Sequence, residues 1–442
     1  MLPSLRTQER CAAGVLACLA FAGCRSYPER TAEAFGAFQG GHFAKAQELY
    51  ADPDCTGTPF LSGAEAGTAA LVGGDWMTAR TDYDRAAASV AELEERALIS
   101  ASALGESLSS WLLNDLSLPY HGEGFERVTL HACLAMTYLA TGDLDGVFVE
   151  VQRANKLLEA EEELYEKEYQ AGGLGHFLSA TAYELLERYD DAYIDYKRME
   201  EKGVGTAIAG RALVRLANQL GWEDDASRYA EAYGPDLDRP PGAASIVVIA
   251  GVGTGPYKEQ GRFWLPTPDG IIPFAVPIYE QHPQPVNGLR LALGSGETVL
   301  TDMLEDVVSV AEQNLNDRIA WMAAKSAARG LVKREITKQM EDEWGTGGRI
   351  LGDIFAIASE QADQRAWQTL PASWQACRMF VSPGAHVLRL EALGGECVEL
   401  GSFQLQPGET MMILARTLEG RLYAHAIGGT PVADGSAIPG TP

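Results

Sequence analysis

Several short strings in this 442-residue chain carry residue types that could do chemistry. GVGTGP, Gly251 to Pro256, follows an apolar run that reads as a strand, the setting in which a glycine loop can cradle a phosphate. A dinucleotide fingerprint needs a third glycine that opens a helix. Here Pro256, Tyr257 and a polar extended stretch follow, so the string reads as a plain glycine turn. GDLDG spaces Asp143 and Asp145 like the start of a calcium loop, but the twelfth position from Asp143 is Ala154, where a bidentate glutamate is required, and calcium is rejected. His121 and His131 are the closest histidine pair; no HExxH or comparable spacing accompanies them, and both read as structural. Arg365 and Trp367, in QADQRAWQTLP, could clamp a ligand, although an arginine stacked on a tryptophan to pin a helix to a strand is the simpler use. GSGET, Gly294 to Thr298, lacks the GxSxG elbow of a serine nucleophile. Neither catalytic residues nor metal or cofactor ligands are singled out, and the chain reads as a non-enzyme.

The body that positions these strings is globular. Apolar residues make up 46% and charged residues 22%, near the average for folded domains, so neither wholesale disorder nor a polytopic membrane protein fits. A formal charge of −26 repels phosphate backbones and excludes nucleic acid as a partner. The acid is uneven: residues 25–238 hold 38 Asp/Glu against 17 Lys/Arg, and residues 239–442 hold 22 against 16.

MLPSLRTQER, with Arg6 and Arg10, precedes the 13-residue apolar run CAAGVLACLAFAG and then Cys24, which is the anatomy of a signal peptide. The run is too short for a spanning helix, which needs about 20 residues. LAFAGC resembles the lipobox of bacterial lipoproteins, with Phe21 where leucine is usual. That resemblance implies cleavage before Cys24 and lipidation of Cys24. Residues 1–23 are then the signal peptide, and several acyl chains make the anchorage effectively permanent. Arg25 rather than Asp beside the lipidated cysteine implies the periplasmic face of the outer membrane. Cys55, Cys133, Cys377 and Cys397 remain; Cys377 and Cys397 could bridge in an oxidising compartment, and buried free thiols are the alternative.

A period close to 34 runs through the first half. Gly41, Phe43, Ala46 and Tyr50 recur 33 residues later as Gly74, Trp76, Ala79 and Tyr83, with Ala86 extending the second copy. After an irregular repeat, Gly142, Leu144, Val147, Val151 and Ala154 follow, then Tyr189, Ala192 and Tyr196, and a degenerate copy near Gly221, Trp222 and Ala226. These strings resemble the tetratricopeptide repeat (TPR) at its turn and second helix, over residues 29–233. Glycine permits the tight turn, the aromatic two residues on packs under the preceding helix, and alanine lets the paired helix approach. The expectation is a TPR-like all-α solenoid over 24–233 whose concave face binds partner proteins, with Phe43, Trp76 and Tyr189 as packing residues. Glu159, Glu161, Glu162, Glu163, Glu166 and Glu168 read as a solvated face.

At GPDLDRPPGAAS the helical pattern stops, which places a linker at 234–245. Thereafter ASIVVIAG, GRFWLP, GIIPFAVPIY and GLRLALG read as strands. A helical period from Asp302 runs through Leu304, Val307, Val308, Ala311, Leu315, Ile319 and Met322 and continues through AAKSAARGLVKREITKQME as one long helix or a broken pair, and a second helical stretch reaches about Trp367. QACRMFV, AHVLRLEAL, ECVELGSFQL, TMMILART and RLYAHAI are strands again. Residues 246–430 are therefore expected to form an α+β domain with strands flanking a helical segment, and 431–442 a tail, in an α+β multidomain chain.

FERVTLHACLAMTYLATGDLDG and the stretch Arg365 to Gly384 resemble an uncharacterised family of bacterial TPR-bearing lipoproteins, in which similar strings read YEKVLLHYYLALNYLALGDLEGA and EQADTRSWLTLPAEIQVARL. Gly255, Pro256 and Lys258 stand where that family has an NGxAPxK element; GTGP and Gln368 depart from its pattern. The resemblance brings no catalytic residues. It implies a cell-envelope scaffold or assembly protein held by lipid at Cys24, with envelope proteins as partners. A regulator of peptidoglycan synthesis and an envelope hydrolase with a site in the C-terminal domain are the alternatives.

Overall fold

The computed structural model describes residues 26–99, 120–237, 239–267, 270–318 and 363–432. Cys24 and its surroundings lie outside the described residues, as do the continuation of the first helical period from Ile319 onward, most of the second helical stretch expected before Trp367, and nearly all of the C-terminal tail. The chain is of mixed α+β class, with helices first and sheets after.

The helices are α1 (Tyr27–Gln39), α2 (Phe43–Ala51), the short α3 (Pro53–Thr56), α4 (Pro59–Val72), α5 (Trp76–Ile99), α6 (Gly124–Ala140), α7 (Leu144–Tyr165), α8 (Gly173–Leu185), α9 (Tyr189–Lys202), α10 (Thr206–Leu220) and α11 (Glu223–Tyr233). Each packs chiefly against its neighbours in sequence: α1 on α2, α2 on α4, α4 on α5, then α6 on α7, α8 on α9 and α10 on α11. The periodic residues explain the pairing. Ala46, Tyr50, Ala79, Tyr83, Ala86, Val147, Val151, Ala154, Ala192 and Tyr196 are each at most 2% exposed, because they form the side of the second helix that meets the first. Gly41 and Gly74 turn the chain between helices with φ of +80° and +82°, where other residues are strained. Asp143 of GDLDG is a helix cap, its carboxylate accepting from the Gly146 amide at 3.0 Å.

The strands are β1 (Ala244–Val252), β2 (Tyr257–Thr267), β3 (Gly270–Glu280), β4 (Leu289–Leu293), β5 (Thr298–Leu300), β6 (Asp302–Asp306), β7 (Ser373–Val381), β8 (Gly384–Ala392), β9 (Cys397–Leu405), β10 (Thr410–Leu418), β11 (Arg421–Ile427) and β12 (Thr430–Pro431). One five-stranded sheet runs β11-β10-β1-β7-β6, the other β12-β9-β8-β4-β5, and β2 and β3 form a separate hairpin. In the first sheet β1 lies parallel to β10, with Val247 opposite Met412, and antiparallel to β7.

Every residue of β1 is buried because its sheet is covered on both faces. Ala244, Ile246, Val248, Ala250, Met411 and Ile413 pack with Leu291, Leu388 and Leu390 of the second sheet. The alternate residues Val247, Ile249, Met412 and Leu414 join the core of the helices. Helices, first sheet and second sheet therefore form three layers, and the apolar core crosses the change from helix to strand between Tyr233 and Ala244.

The helical period expected from Asp302 begins later. Asp302–Asp306 is strand β6, paired with β7, and a helix (α12) occupies 307–318. The apolar residues of DMLED, Met303 and Leu304, are adjacent, so no alternation announces a strand, and Leu304 fits either period.

Candidate functional site

The first helices of the pairs, α4, α6 and α8, are buried along nearly their whole length, and the polar side chains they carry inward form a seam against the sheet layer. Glu65 and Glu126 grip the extended segment that leads into β7. Glu65 accepts from the Gln368 amide at 2.7 Å, the Thr369 amide at 3.0 Å and the Tyr27 hydroxyl at 2.9 Å. Glu126 accepts from the Trp367 amide at 2.7 Å, the Tyr120 hydroxyl at 2.6 Å and the Glu123 amide at 2.9 Å. Three consecutive backbone donors are thus held by two helix carboxylates. Between them Trp367, 2% exposed, donates its indole N–H to Thr68 and Thr369, both at 3.0 Å.

Beside this grip, Glu123 joins three elements. It is ion-paired with Lys258 of β2 and with Arg318 at the end of α12, and the Lys258 ammonium lies 5.3 Å from the Tyr120 ring centre and 5.4 Å from that of Tyr279. Burial alone would raise the Glu123 carboxyl, but the two cations hold it at about 2. Arg127 donates to Glu161 at 2.6 Å and to the Gly122 carbonyl at 2.7 Å. Arg365 is paired with Asp363 at 2.7 Å and stacks on Tyr120, 5.3 Å from the ring centre; Trp367 alone of that pair enters the helix core.

Further along, Glu184 of α8 takes Arg215 of α10 at 2.8 Å and Arg378 of β7 at 2.5 Å, which keep it at about 2 against the pull of burial. Glu305 of β6 accepts from the Gly172 amide at 3.0 Å and so caps α8 from the sheet side. Burial lifts both Glu305 and Glu65 to about 7, the hydrogen bonds they accept notwithstanding.

The strings that carried the family resemblance meet in this seam: Glu126 and Arg127 from one, Arg365 and Trp367 from the second, Lys258 from the third. His131 is fully buried between Glu150 at 2.6 Å and Glu94 at 3.2 Å. Burial would lower it, yet the two carboxylates raise it to about 9. His121 is half-buried and lowered by burial. Of the glutamate run, Glu159, Glu163, Glu166 and Glu168 are exposed, while Glu161 turns inward to Arg127 and Glu162 takes Lys202 at 2.7 Å.

The glycine string lines a surface groove of about 370 Å³ with His282, Gln284 and Glu419. Its amides are already engaged: Gly253 donates to the Thr417 hydroxyl at 2.8 Å, Thr254 to Gln284 at 3.2 Å and Gly255 to the Leu370 carbonyl at 2.7 Å. Cys55, Cys133, Cys377 and Cys397 are unbridged; Cys377 is buried in the first sheet and Cys397 exposed in the second. Among the described residues no group of three or more His, Cys, Asp or Glu side chains is arranged to hold a metal, and no helix is long and apolar enough to cross a membrane.

Chemically, the seam is a clamp. Its carboxylates are spent on backbone amides, arginines and a lysine, which fixes the sheet layer against the helices. The face formed by α4, α6 and α8 is covered by the chain's own residues 363–371 and strand β6. Sequence reasoning passed over Glu65, Glu123, Glu126, Glu184 and Glu305. The available signal was a lone glutamate in an otherwise apolar helix, as in PFLSGAEAGTAALV around Glu65. Compared with family models and with curated proteins, the chain finds no match in either.

Proposed function

We propose that this chain is a lipid-anchored scaffold of the cell envelope, non-enzymatic, held by Cys24 at the periplasmic face of the outer membrane, whose TPR-like helix pairs gather partner proteins. The observation that carries the reading is the stacking of helix pairs on their sequence neighbours over residues 27–233, the arrangement of repeat proteins that work by presenting a continuous surface. Because the first helices are covered by the sheet layer, the partner surface is the outer one. There α7 and α9 expose Val149 and Ile194, 50% and 48% accessible, and Trp222 precedes α11, among exposed acids such as Glu159, Asp190 and Glu223. Apolar side chains exposed among acids suit a partner that offers both apolar contacts and basic groups.

The test is affinity capture of the full chain from its native envelope after gentle cross-linking, run beside Cys24→Ser and beside an Ile194→Asp variant. The reading expects one reproducible set of envelope proteins that is lost with Ile194→Asp and reduced when Cys24→Ser releases the chain from the membrane. Recovery of the chain alone, at native abundance, contradicts it.

A further inference from the structure

β2 and β3 form a two-stranded hairpin that, among the described elements, packs chiefly on itself. Its register decides which residues share a face. Lys258 and Tyr279 are opposite one another on the face turned to the seam: Lys258 is 2% exposed against Glu123, and the Tyr279 ring stands 6.2 Å from that of Phe125. Glu259 and Glu280 are exposed on the other face. Toward the turn that outer face continues through Ile278, then the pairs Gly261–Val276, Phe263–Phe274 and Leu265–Ile272, with no charge beyond Glu259. The seam-side face continues instead through Gln260, Arg262 and Trp264 and three prolines, Pro266, Pro273 and Pro277.

A lone pair of strands with an uncovered apolar face is at best marginally stable in water. Another strand is a poor cover for it. Proline has no N–H, so Pro266, Pro273 and Pro277 fall in pairs without ladder hydrogen bonds, and each removes a donor from an outer edge of the hairpin. The surroundings favour lipid. At the base, the Tyr257 ring lies 4.6 Å from that of His282, which lies 6.1 Å from that of Phe35 on α1, and α1 begins three residues after Cys24. Arg318, ion-paired with Glu123 beside Lys258, also stands at the base. Residues 319–340, which follow it in sequence, hold five Lys/Arg against one Asp/Glu in a chain of formal charge −26. Basic charge beside an apolar face complements anionic headgroups over acyl chains, and Trp and Arg are types that settle at that boundary.

We propose that the hairpin lies in the surface of an anionic phospholipid bilayer, with the face that carries Phe263, Leu265, Ile272, Phe274, Val276 and Ile278 against the acyl chains. Lying flat leaves Asp269, between the two strands in sequence, at the level of the headgroups, whereas tip-first insertion would carry a carboxylate among the acyl chains. The hairpin is then a second contact with the membrane beside Cys24, and two contacts fix which way the body faces where one lipid anchor leaves it free to turn. This second contact rests on the envelope reading for the identity of the bilayer, while the hairpin's own affinity for lipid does not depend on Cys24.

The experiment floats the full chain carrying Cys24→Ser, and so without acyl chains, on vesicles of phosphatidylethanolamine and phosphatidylglycerol, beside the same chain with Leu265→Asp and Ile272→Asp added. The leader is common to both, so a difference between them belongs to the hairpin. The lipid-bound fraction should fall at least about tenfold with the two aspartates, and should fall for the parent chain when phosphatidylcholine replaces phosphatidylglycerol. A second measurement needs no disruptive variant: in the lipidated chain in its native envelope, a photoreactive side chain at Leu265 or Ile272 should form acyl-chain adducts, and one at Leu300, exposed on β5, should not. Equal flotation of the two chains, flotation of neither, binding indifferent to phosphatidylglycerol, or adducts from Leu265 and Ile272 confined to protein overturns the proposal. Failure of the anchor at Cys24 shows separately, as equal envelope retention of the native and Cys24→Ser chains, and leaves the flotation result standing.

Discussion

Replacing Glu65 by glutamine changes one atom in the grip on residues 367–369 and leaves the volume unaltered. In the native protein two carboxylate oxygens serve three donors, Tyr27, Gln368 and Thr369. Glutamine offers one oxygen. Its amide nitrogen must therefore face either the Gln368 amide and the Tyr27 hydroxyl or the Thr369 amide, leaving at least one buried donor unmet. A buried unsatisfied donor costs about 1–3 kcal/mol, which in local opening is a factor of roughly 5–150. The assay is amide hydrogen exchange at pH 8, above the value of about 7 to which burial lifts Glu65, where the native group is charged and its bonds are strongest. Exchange at Gln368 and Thr369 should accelerate by that factor in Glu65→Gln, whereas Trp367, whose amide is held by Glu126, should change far less. The difference should narrow at pH 5.5, where native Glu65 is protonated and itself carries a donor. Equal acceleration at all three amides, or none at Gln368 and Thr369, would refute the assignment of the grip to Glu65.

The other expectations concern charge, thiols and one turn. Glu123 and Glu184, held at about 2 by their cations, contribute stability that is present above the ordinary carboxylate range and lost as pH falls through about 2. Urea midpoints should drop steeply between pH 4.5 and 2, and in Glu123→Gln less steeply. His131, raised to about 9, acts in the opposite sense: its contribution is complete below about pH 6.5 and is lost as pH rises through 9, so an NMR titration should find its ring charged at pH 7.5. Lys258→Met leaves Glu123 buried with Arg318 alone and should destabilise by about 3–5 kcal/mol in chemical unfolding, with much of the loss recovered in the double variant Lys258→Met, Glu123→Leu. Cys397 should react with a thiol reagent in the folded chain while Cys133 and Cys377 stay protected until unfolding, read by mass spectrometry of the labelled peptides. Gly74→Ala should cost about 1–3 kcal/mol, because φ is +82° and the added methyl would lie 2.7 Å from the His425 ring; a thermal melt measures it.

The local elements were legible because their periods are strong. Alanine and aromatic residues at fixed steps from Gly41 and Gly74 marked the paired helices, and the β-branched run SIVVI marked a strand buried on both faces. What escaped was whatever depends on long separation. The parallel pairing of β1 with β10 joins Val247 to Met412 across more than one and a half hundred residues, and no local pattern carries that register. β6 escaped because its two apolar residues, Met303 and Leu304, are adjacent and flanked by acids, so no alternation marks a strand. The seam escaped for a different reason: Glu65, Glu126 and Glu305 each occur once in their own segment, and only the fold reveals that their partners are backbone amides on other elements. Lys258 was noticed for its place in a string and not for Glu123, which lies 135 positions away.

The central claim is that the helix pairs present their outer face to partner proteins while the inner face is occupied by the chain's own sheet layer. Site-specific photo-cross-linking in the native envelope tests it most directly, with the reactive side chain placed in turn at Ile194 on α9, Val149 on α7 and, as the inner control, Thr68 on α4. The account predicts adducts with the same partner from the two outer positions and only intramolecular links from Thr68. Partner adducts from Thr68 with none from Ile194 or Val149 would contradict it.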